Sequence, residues 1–465
     1  MNIFRYRKFE NGIREIEDQT IYFAARNELN DPTIEGYLNV YWQGDCIAWN
    51  GLLKNYVCSL HQALTQYLLK VDEAGIRDNA AMVDVHHFDN VPLGNILMKL
   101  GSKFLQHDVV KKYSDLLGNN KVRVSRDELI FCLLSVHNIA LIDTLDAFYE
   151  SGYKDEAIKD LSLKLKEKIS FDMPREGYER FLQESKEVRQ KLLHHIVGMY
   201  DDFYKQIYGG TDDLQKRTWL TVITNFPNAY VDKLEDFIHP EVYIACFSEK
   251  ENDNSMWGKY ADNHTGLCLI YDTHTVRGND TIALLQPYSY SLNGQSFKYR
   301  DEKLYQINYG GNVREANFFT MLGKFNGQQL YSWLSDDDGL RSNCLNEIYD
   351  NEDKWRNEYW QCLYDRYCHK TKDWEHEKEY RLLLVNTFYE FTSPESRIIK
   401  YHFSNLRGVI LGMNMPVENQ IKVLNAIQKK CEETGRSDFE VYIAEYDHDS
   451  DSITKRRIGI KNRFS

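Results

Sequence analysis

Three short segments carry residue types at spacings that can do chemistry. In Trp374-Glu375-His376-Glu377-Lys378-Glu379-Tyr380-Arg381, three acids alternate ahead of the apolar run Leu382–Val385. On a strand begun that early, Glu375, Glu377 and Glu379 point the same way. Like charges so close raise a carboxyl pKa unless they stay solvated or gain partners. In Phe4-Arg5-Tyr6-Arg7, alternation puts Arg5 and Arg7 on one face of a strand and Phe4 and Tyr6 on the other. Two guanidiniums on one face suit a phosphate or a carboxylate. In the third segment a strand ends on Ser248-Glu249, and a short helix bearing Trp257 and Tyr260 follows it before a strand led by Gly266. Polar groups at such junctions commonly build sites. Each segment also has a plain structural counterpart: a solvated strand entrance, an edge strand with hydrated arginines, and a strand–turn–helix whose aromatics lie in a core.

The elements that must position these residues fall into three zones. Residues 1–45 are short and strand-like, with Thr20–Ala24 β-rich and Asn30-Asp31-Pro32 a turn. Residues 46–238 are helical in pattern. Leu52, Leu53, Tyr56, Val57, Leu60 and Leu64 recur at helical spacing, and Ser125-x-x-Glu128 is a capping box ahead of an apolar run. In 239–465, Val242–Phe247, Leu267–Tyr271, Tyr380–Val385, Gly408–Leu411 and Phe439–Ala444 read as strands, and Pro416–Lys430 as an amphipathic helix. The expected fold is α+β: a split mixed or antiparallel β core built from 1–45 and 239–465, the candidate catalytic domain. An all-helical insertion occupies 46–238, and a Tyr-rich subinsertion, 288–372, carries a helix near Cys344–Tyr367. Two independent domains are disfavoured, because 45 residues bury no core alone. A single site requires residues 1–10, 245–250 and 375–382 to meet.

Composition narrows the function classes. The 465 residues carry 57 Lys and Arg against 70 Asp and Glu, a net charge of −13. That excludes a uniformly basic nucleic-acid binder, so such a partner needs a local patch, for which Lys455-Arg456-Arg457 with Lys461 and Arg463 is the candidate. No GxGxxG, P-loop, GxSxG or HExxH sequence occurs, and the nine cysteines form no CxxC pair. The chain therefore reads as reduced and cytoplasmic. The charged start Arg5-Tyr6-Arg7-Lys8 carries no leader-like apolar run, and no stretch is read as approaching the ~20 apolar residues of a membrane span, so no membrane partner is expected.

Taken together, Phe4–Arg7, Tyr22-Phe23-Ala24, Leu29–Pro32, Glu35-Gly36, Phe247-Ser248-Glu249, Met256–Gly266, Trp374, Glu377–Arg381 and Gly408–Gly412 resemble a bacterial family known as domain of unknown function 2971. The resemblance covers about 1–45 and 240–460. It implies a component of phage-defence or abortive-infection systems, with the helical insertion meeting a phage or antitoxin protein. More distantly, the chain resembles ADP-ribosyltransferases, which place an Arg on a first strand, a Ser on a later one and Glu-x-Glu entering another. Here the Ser lacks the usual Ser-Thr-Ser company, and Arg5 and Arg7 compete for one role. That likeness implies NAD as substrate and a macromolecular acceptor, protein or nucleic acid. Glu379 then stabilises the ribosyl cation, Ser248 holds Glu379, Glu377 serves the acceptor, Arg5 or Arg7 grips the pyrophosphate, and Tyr260 or Trp257 stacks on nicotinamide. No metal is assigned. The other readings are a non-enzymatic sensor module that uses the arginines as a clamp, and a nuclease with Mg²⁺ on Glu377, Glu379 and Asp373.

Overall fold

A computed structural model describes residues 1–30, 36–83, 92–118, 122–153, 156–168, 181, 184–210, 213–291, 294–311, 314–387 and 389–459. Asp31, Pro32, Glu35, Lys461 and Arg463, named above, lie outside the described residues. The chain divides into two compact units. One is Met1–Tyr37, Glu241–Val313 and Tyr364–Ser465, and the other is Leu38–Pro240 and Arg314–Leu363.

The first unit is built on an eight-stranded mixed sheet. Its strands in chain order are β1 (Asn2–Arg7), β2 (Val242–Ser248), β3 (Leu267–Asp272), β4 (Tyr305–Gln306), β5 (Glu379–Val385), β6 (Leu406–Leu411), β7 (Glu440–Asp447) and β8 (Ser452–Ile458). Their order across the sheet is β8-β7-β6-β3-β1-β2-β5-β4. Only β6 and β7 run parallel, and the helix Val417–Thr434 makes the crossover that parallel neighbours require. The central strands are apolar on both faces. Ile3, Leu267, Leu269, Tyr271, Val409 and Leu411 pack on one side with Ile16 and Ile427. Phe4, Tyr6, Cys268, Ile270 and Ile410 pack on the other with Met256 and Trp257. The alternation inside β1 thus sends Phe4 and Tyr6 one way and Ile3 and Arg5 the other.

The sheet is split between β1 and β2. These strands pair at one position, Phe4 with Ser248, whereas β1 pairs with β3 from Asn2 to Arg7 and β2 with β5 from Val242 to Ser248. On the Val242 side of Ser248 the freed edge of β2 is taken by Ala24, whose N–H donates to the Ile244 carbonyl (2.8 Å) and whose carbonyl accepts from Ile244 N–H (2.9 Å). Arg5 closes the rest of the gap. Its guanidinium donates to the Cys246 carbonyl (2.9 Å) and the Tyr22 carbonyl (3.0 Å), replacing ladder bonds that the split removes.

In the second unit, the helices Cys46–Leu68, Pro92–Gln106, Arg126–Glu150 and Phe226–Leu234 bury Trp49, Leu52, Tyr56, Leu100, Leu133 and Tyr230 in one cluster. The Ser125–Glu128 capping box forms as expected. The expectations need correcting at four points. The unit begins at Leu38, because Leu38, Val40 and Trp42 join its core. It extends beyond the helical stretch 46–238, in which the named elements are all helices, and also holds Asn39–Tyr41 and Glu315–Asn317, which pair as parallel strands. The 288–372 stretch is not one subinsertion: residues 314–363 cluster with the helices through Phe318, Phe319, Trp333 and Leu345. Finally, the helix Arg126–Glu150 is long and apolar enough to cross a membrane, which the sequence reading missed, although two thirds of that stretch is buried inside the unit. A helix apolar all round is what a core position demands.

A Cβ at Gly266 would sit 2.2 Å from the Arg7 carbonyl, whereas one at Gly258 meets nothing within 4 Å. Gly266→Ala is therefore expected to destabilise the protein by about 1–3 kcal/mol by forcing β1 from β3. Gly258→Ala, in a helix, leaves stability unchanged or raised. Thermal melts of the two variants check this.

Candidate functional site

The approach to β5 decides the geometry. Lys372–Glu377 forms a 3₁₀ turn, Lys378 adopts a left-handed conformation (φ 43°), and the strand starts only at Glu379. The three acids therefore do not alternate along one strand, which corrects the sequence expectation. Glu375 stays outside, half-exposed beside Lys378 (3.5 Å), while Glu377 and Glu379 both turn inward and are 3% exposed.

Burying two carboxylates requires cations, and the fold supplies them. Lys370 Nζ lies 2.9 Å from Glu377 Oε2 and 2.6 Å from Glu379 Oε2. Arg381, two residues along the same strand face, donates through Nε to Glu379 Oε1 (2.7 Å) and through Nη2 to Oε2 (3.3 Å), and anchors Nη1 on the Tyr367 carbonyl (2.6 Å). Burial pushes the Glu379 carboxyl up, but Arg381 and Lys370 more than reverse this and hold it at about 2. Tyr260 Oη donates to Glu377 Oε1 (2.8 Å) and accepts from Asn30 Nδ2 (2.7 Å). Burial first, then the Glu377 charge, drives that phenol far above its ordinary pKa. The Cys246 thiol is likewise pushed far up, by burial and by Glu379, which rules it out as a ready nucleophile.

Ser248, Tyr260, Lys370, Glu377 and Glu379 line a cavity of about 250 Å³, with Arg7, Tyr22 and Asn30 among its other residues. A neighbouring cavity of about 410 Å³ shares Arg7 and Tyr22 and adds Asn11, Arg14 and Glu395. The three segments singled out in the sequence converge here, because Phe4 pairs with Ser248 and Ser248 with Glu379.

Several expected roles change. Ser248 Oγ donates to the backbone carbonyl of Glu377 (2.7 Å) and accepts from Lys250 N–H (3.0 Å), so it fixes the loop and not the Glu379 carboxylate. Arg5 is buried and committed to Glu15 (3.2 Å) and two carbonyls, so it is unavailable to a pyrophosphate. Arg7 also reaches Glu15 (2.6 Å) but keeps 24% of its side chain exposed toward the two cavities. Trp257 is fully buried, edge-on to Tyr6 and stacked with His264, with Nε1 donating to the Glu251 carbonyl (3.1 Å), so it cannot stack on a ligand. The Mg²⁺ reading is displaced by Lys370, whose ammonium stands where the two carboxylates would share a cation. The basic C-terminal patch is neutralised in part, Lys455 pairing with Glu251 and Arg456 with Glu445. Among the described residues no group of three His, Cys, Asp or Glu side chains is placed to hold a metal.

Lys370 and Arg381 were not picked out from the sequence. Arg381 was legible, since a residue two along a strand shares its neighbour's face. Lys370 had no local signal.

Residues 256–382 match the family model described as protein of unknown function (DUF2971). The matched stretch contains Met256–Gly266, Lys370 and Glu377–Arg381, and stops short of Arg7, Ser248 and Gly408–Gly412. No curated protein and no solved structure matches the chain.

Because the folded pKa of Glu379 lies below its ordinary 4.5, its ionised form stabilises the fold above about pH 4.5, and that contribution is lost as the pH falls toward 2. Glu379→Gln is expected to cost on the order of 3 kcal/mol at neutral pH. Its stability relative to the wild type should converge on zero below the native pKa. Urea midpoints of both proteins across the acid range measure the convergence.

Proposed function

We propose that the cavity binds NAD and that the protein breaks the nicotinamide–ribose bond, passing ADP-ribose to an acceptor. The observation that carries this reading is the Glu377–Lys370–Glu379 cluster. It is a carboxylate kept ionised and immobile at a buried site beside a second carboxylate with a hydroxyl on it.

The chemistry follows from that arrangement. When the C1′–N bond breaks, its electron pair leaves with the nicotinamide nitrogen, which departs neutral and needs no general acid. Positive charge grows on the ribose, as in glycoside cleavage. Glu379, unable to take up a proton near neutral pH, faces that charge with a fixed negative group and undergoes no reorganisation. Glu377 accepts the proton that the incoming O–H or N–H loses on attacking C1′. Tyr260 positions Glu377 through their 2.8 Å hydrogen bond and lines the cavity that would take the nicotinamide riboside. The 250 Å³ cavity is below the roughly 300–1,000 Å³ of sites for drug-sized ligands, so it takes one nucleoside moiety. Arg7 borders both cavities, which fits phosphates lying across it with the adenosine half toward Arg14. Water in place of the acceptor would give NAD hydrolysis at the same site.

The test uses adenine-labelled NAD with the purified protein, alone and with a bacterial lysate that is untreated, nuclease-treated or protease-treated. Wild type should release nicotinamide, and the digestions should identify the acceptor that carries the label. Glu379→Gln should lower the rate by about 10²–10³-fold, and Tyr260→Phe by a smaller factor, at a stability cost of about 1–3 kcal/mol from the buried Glu377 oxygen that loses its hydroxyl partner. Nicotinamide release equal in wild type and Glu379→Gln, or absent from both, overturns the reading. A melting temperature raised by NAD without nicotinamide release would assign sensing in place of catalysis.

A further inference from the structure

The second unit carries an apolar stripe that nothing in the described chain covers. On the helix Lys186–Gly209, Val188, Leu192, Met199, Phe203 and Ile207 are 48%, 48%, 60%, 56% and 39% exposed, and Ile196 is half-buried between them. At 100° per residue these six side chains fall within an arc of about 100°. The helix is already anchored by a different face, where Leu193 and Tyr204 are buried and Val197 packs on the unit's core. Among the described residues of the unit, the stripe takes no part in that packing.

Its spacing is symmetric. The steps from Val188 through Leu192, Ile196, Met199 and Phe203 to Ile207 are four, four, three, four and four, the same read from either end. A two-fold axis between Val197 and Gly198 places Val188 on Ile207, Leu192 on Phe203 and Ile196 on Met199. Such self-complementarity is what an isologous interface requires, whereas an unrelated partner imposes no palindrome.

Charge fixes the direction. Lys191 and Asp202 are exposed on the same edge of the stripe, one in each half, and neither makes an ion pair among the described residues. Paired parallel, the two copies would carry this edge on opposite sides of the pair, and neither Lys191 nor Asp202 would meet its counterpart or the other. Paired antiparallel, each Lys191 comes within a lysine's reach of the other copy's Asp202, twice per dimer. We infer that the helix Lys186–Gly209 is a homodimer face, pairing antiparallel with the same helix of a second copy over about 28 Å.

The full chain is measured by light scattering across a concentration series, with the far-ultraviolet spectrum and melt of each variant as folding controls. Wild type should approach twice the monomer mass. Met199→Asp with Phe203→Asp should remain monomeric with unchanged folding, since both side chains are exposed. Lys191→Asp and Asp202→Lys should each weaken association at least tenfold, and the two combined should restore it. A wild type monomeric at every concentration overturns the inference, as does a dimer that survives the Met199 and Phe203 changes. Single charge reversals that the double reversal fails to rescue overturn the antiparallel arrangement.

Discussion

A lysine buried between two carboxylates is the interaction on which the first unit's site depends. Lys370, Glu377, Glu379 and Arg381 bring two positive and two negative charges out of water together, and none of them could be left there alone. The fold answers the desolvation with direct partners: Arg381 and Lys370 on Glu379, Tyr260 and Lys370 on Glu377, and the Tyr367 carbonyl on Arg381 Nη1. Removing one member strands the others, which makes the cluster rigid. A fixed, charged arrangement at the floor of a cavity is what the proposed chemistry would use as charge develops on the ribose.

The surrounding sheet exists in a form that permits this. Had β1 and β2 paired along their full length, the space beside Ser248 would be closed. They pair at a single position, and Arg5 and Ala24 satisfy the backbone groups that the separation exposes. Arg5 thus acts within the scaffold while lining the cavity, and Arg7 is the more exposed of the two β1 arginines there. The Ser248 hydroxyl works in the same way at one remove, holding the Glu377 backbone so that the left-handed Lys378 can turn both carboxylates inward.

Much of this arrangement was legible in the residues. The apolar runs of β2, β3, β5 and β6 mark their strands within a residue or two, and the alternation in Phe4–Arg7 assigns the faces of β1 correctly. What the sequence hid has identifiable causes. Lysine has no preference for the left-handed region, so nothing in Glu377-Lys378-Glu379 announced the reversal. Lys370 lies across a 3₁₀ turn from its partners, and only the fold brings it to them. Trp257 and Arg5 were read as ligand contacts because an aromatic or an arginine near a site looks the same whether it faces inward or outward. The segment 314–363 joins the helices through aromatic packing that no local period reveals.

The position of β1 has a consequence for how the protein is made. This first strand sits in the interior of the sheet, between β3 and β2, and its neighbours begin at Val242 and Leu267. At roughly 5–20 residues per second, the ribosome takes on the order of 10–50 s to supply them. Throughout that interval Ile3, Phe4 and Tyr6 have no sheet to join. Strand β1 must be shielded by a chaperone or wait while the helices form, and the cavity cannot be complete before Glu379 has been made.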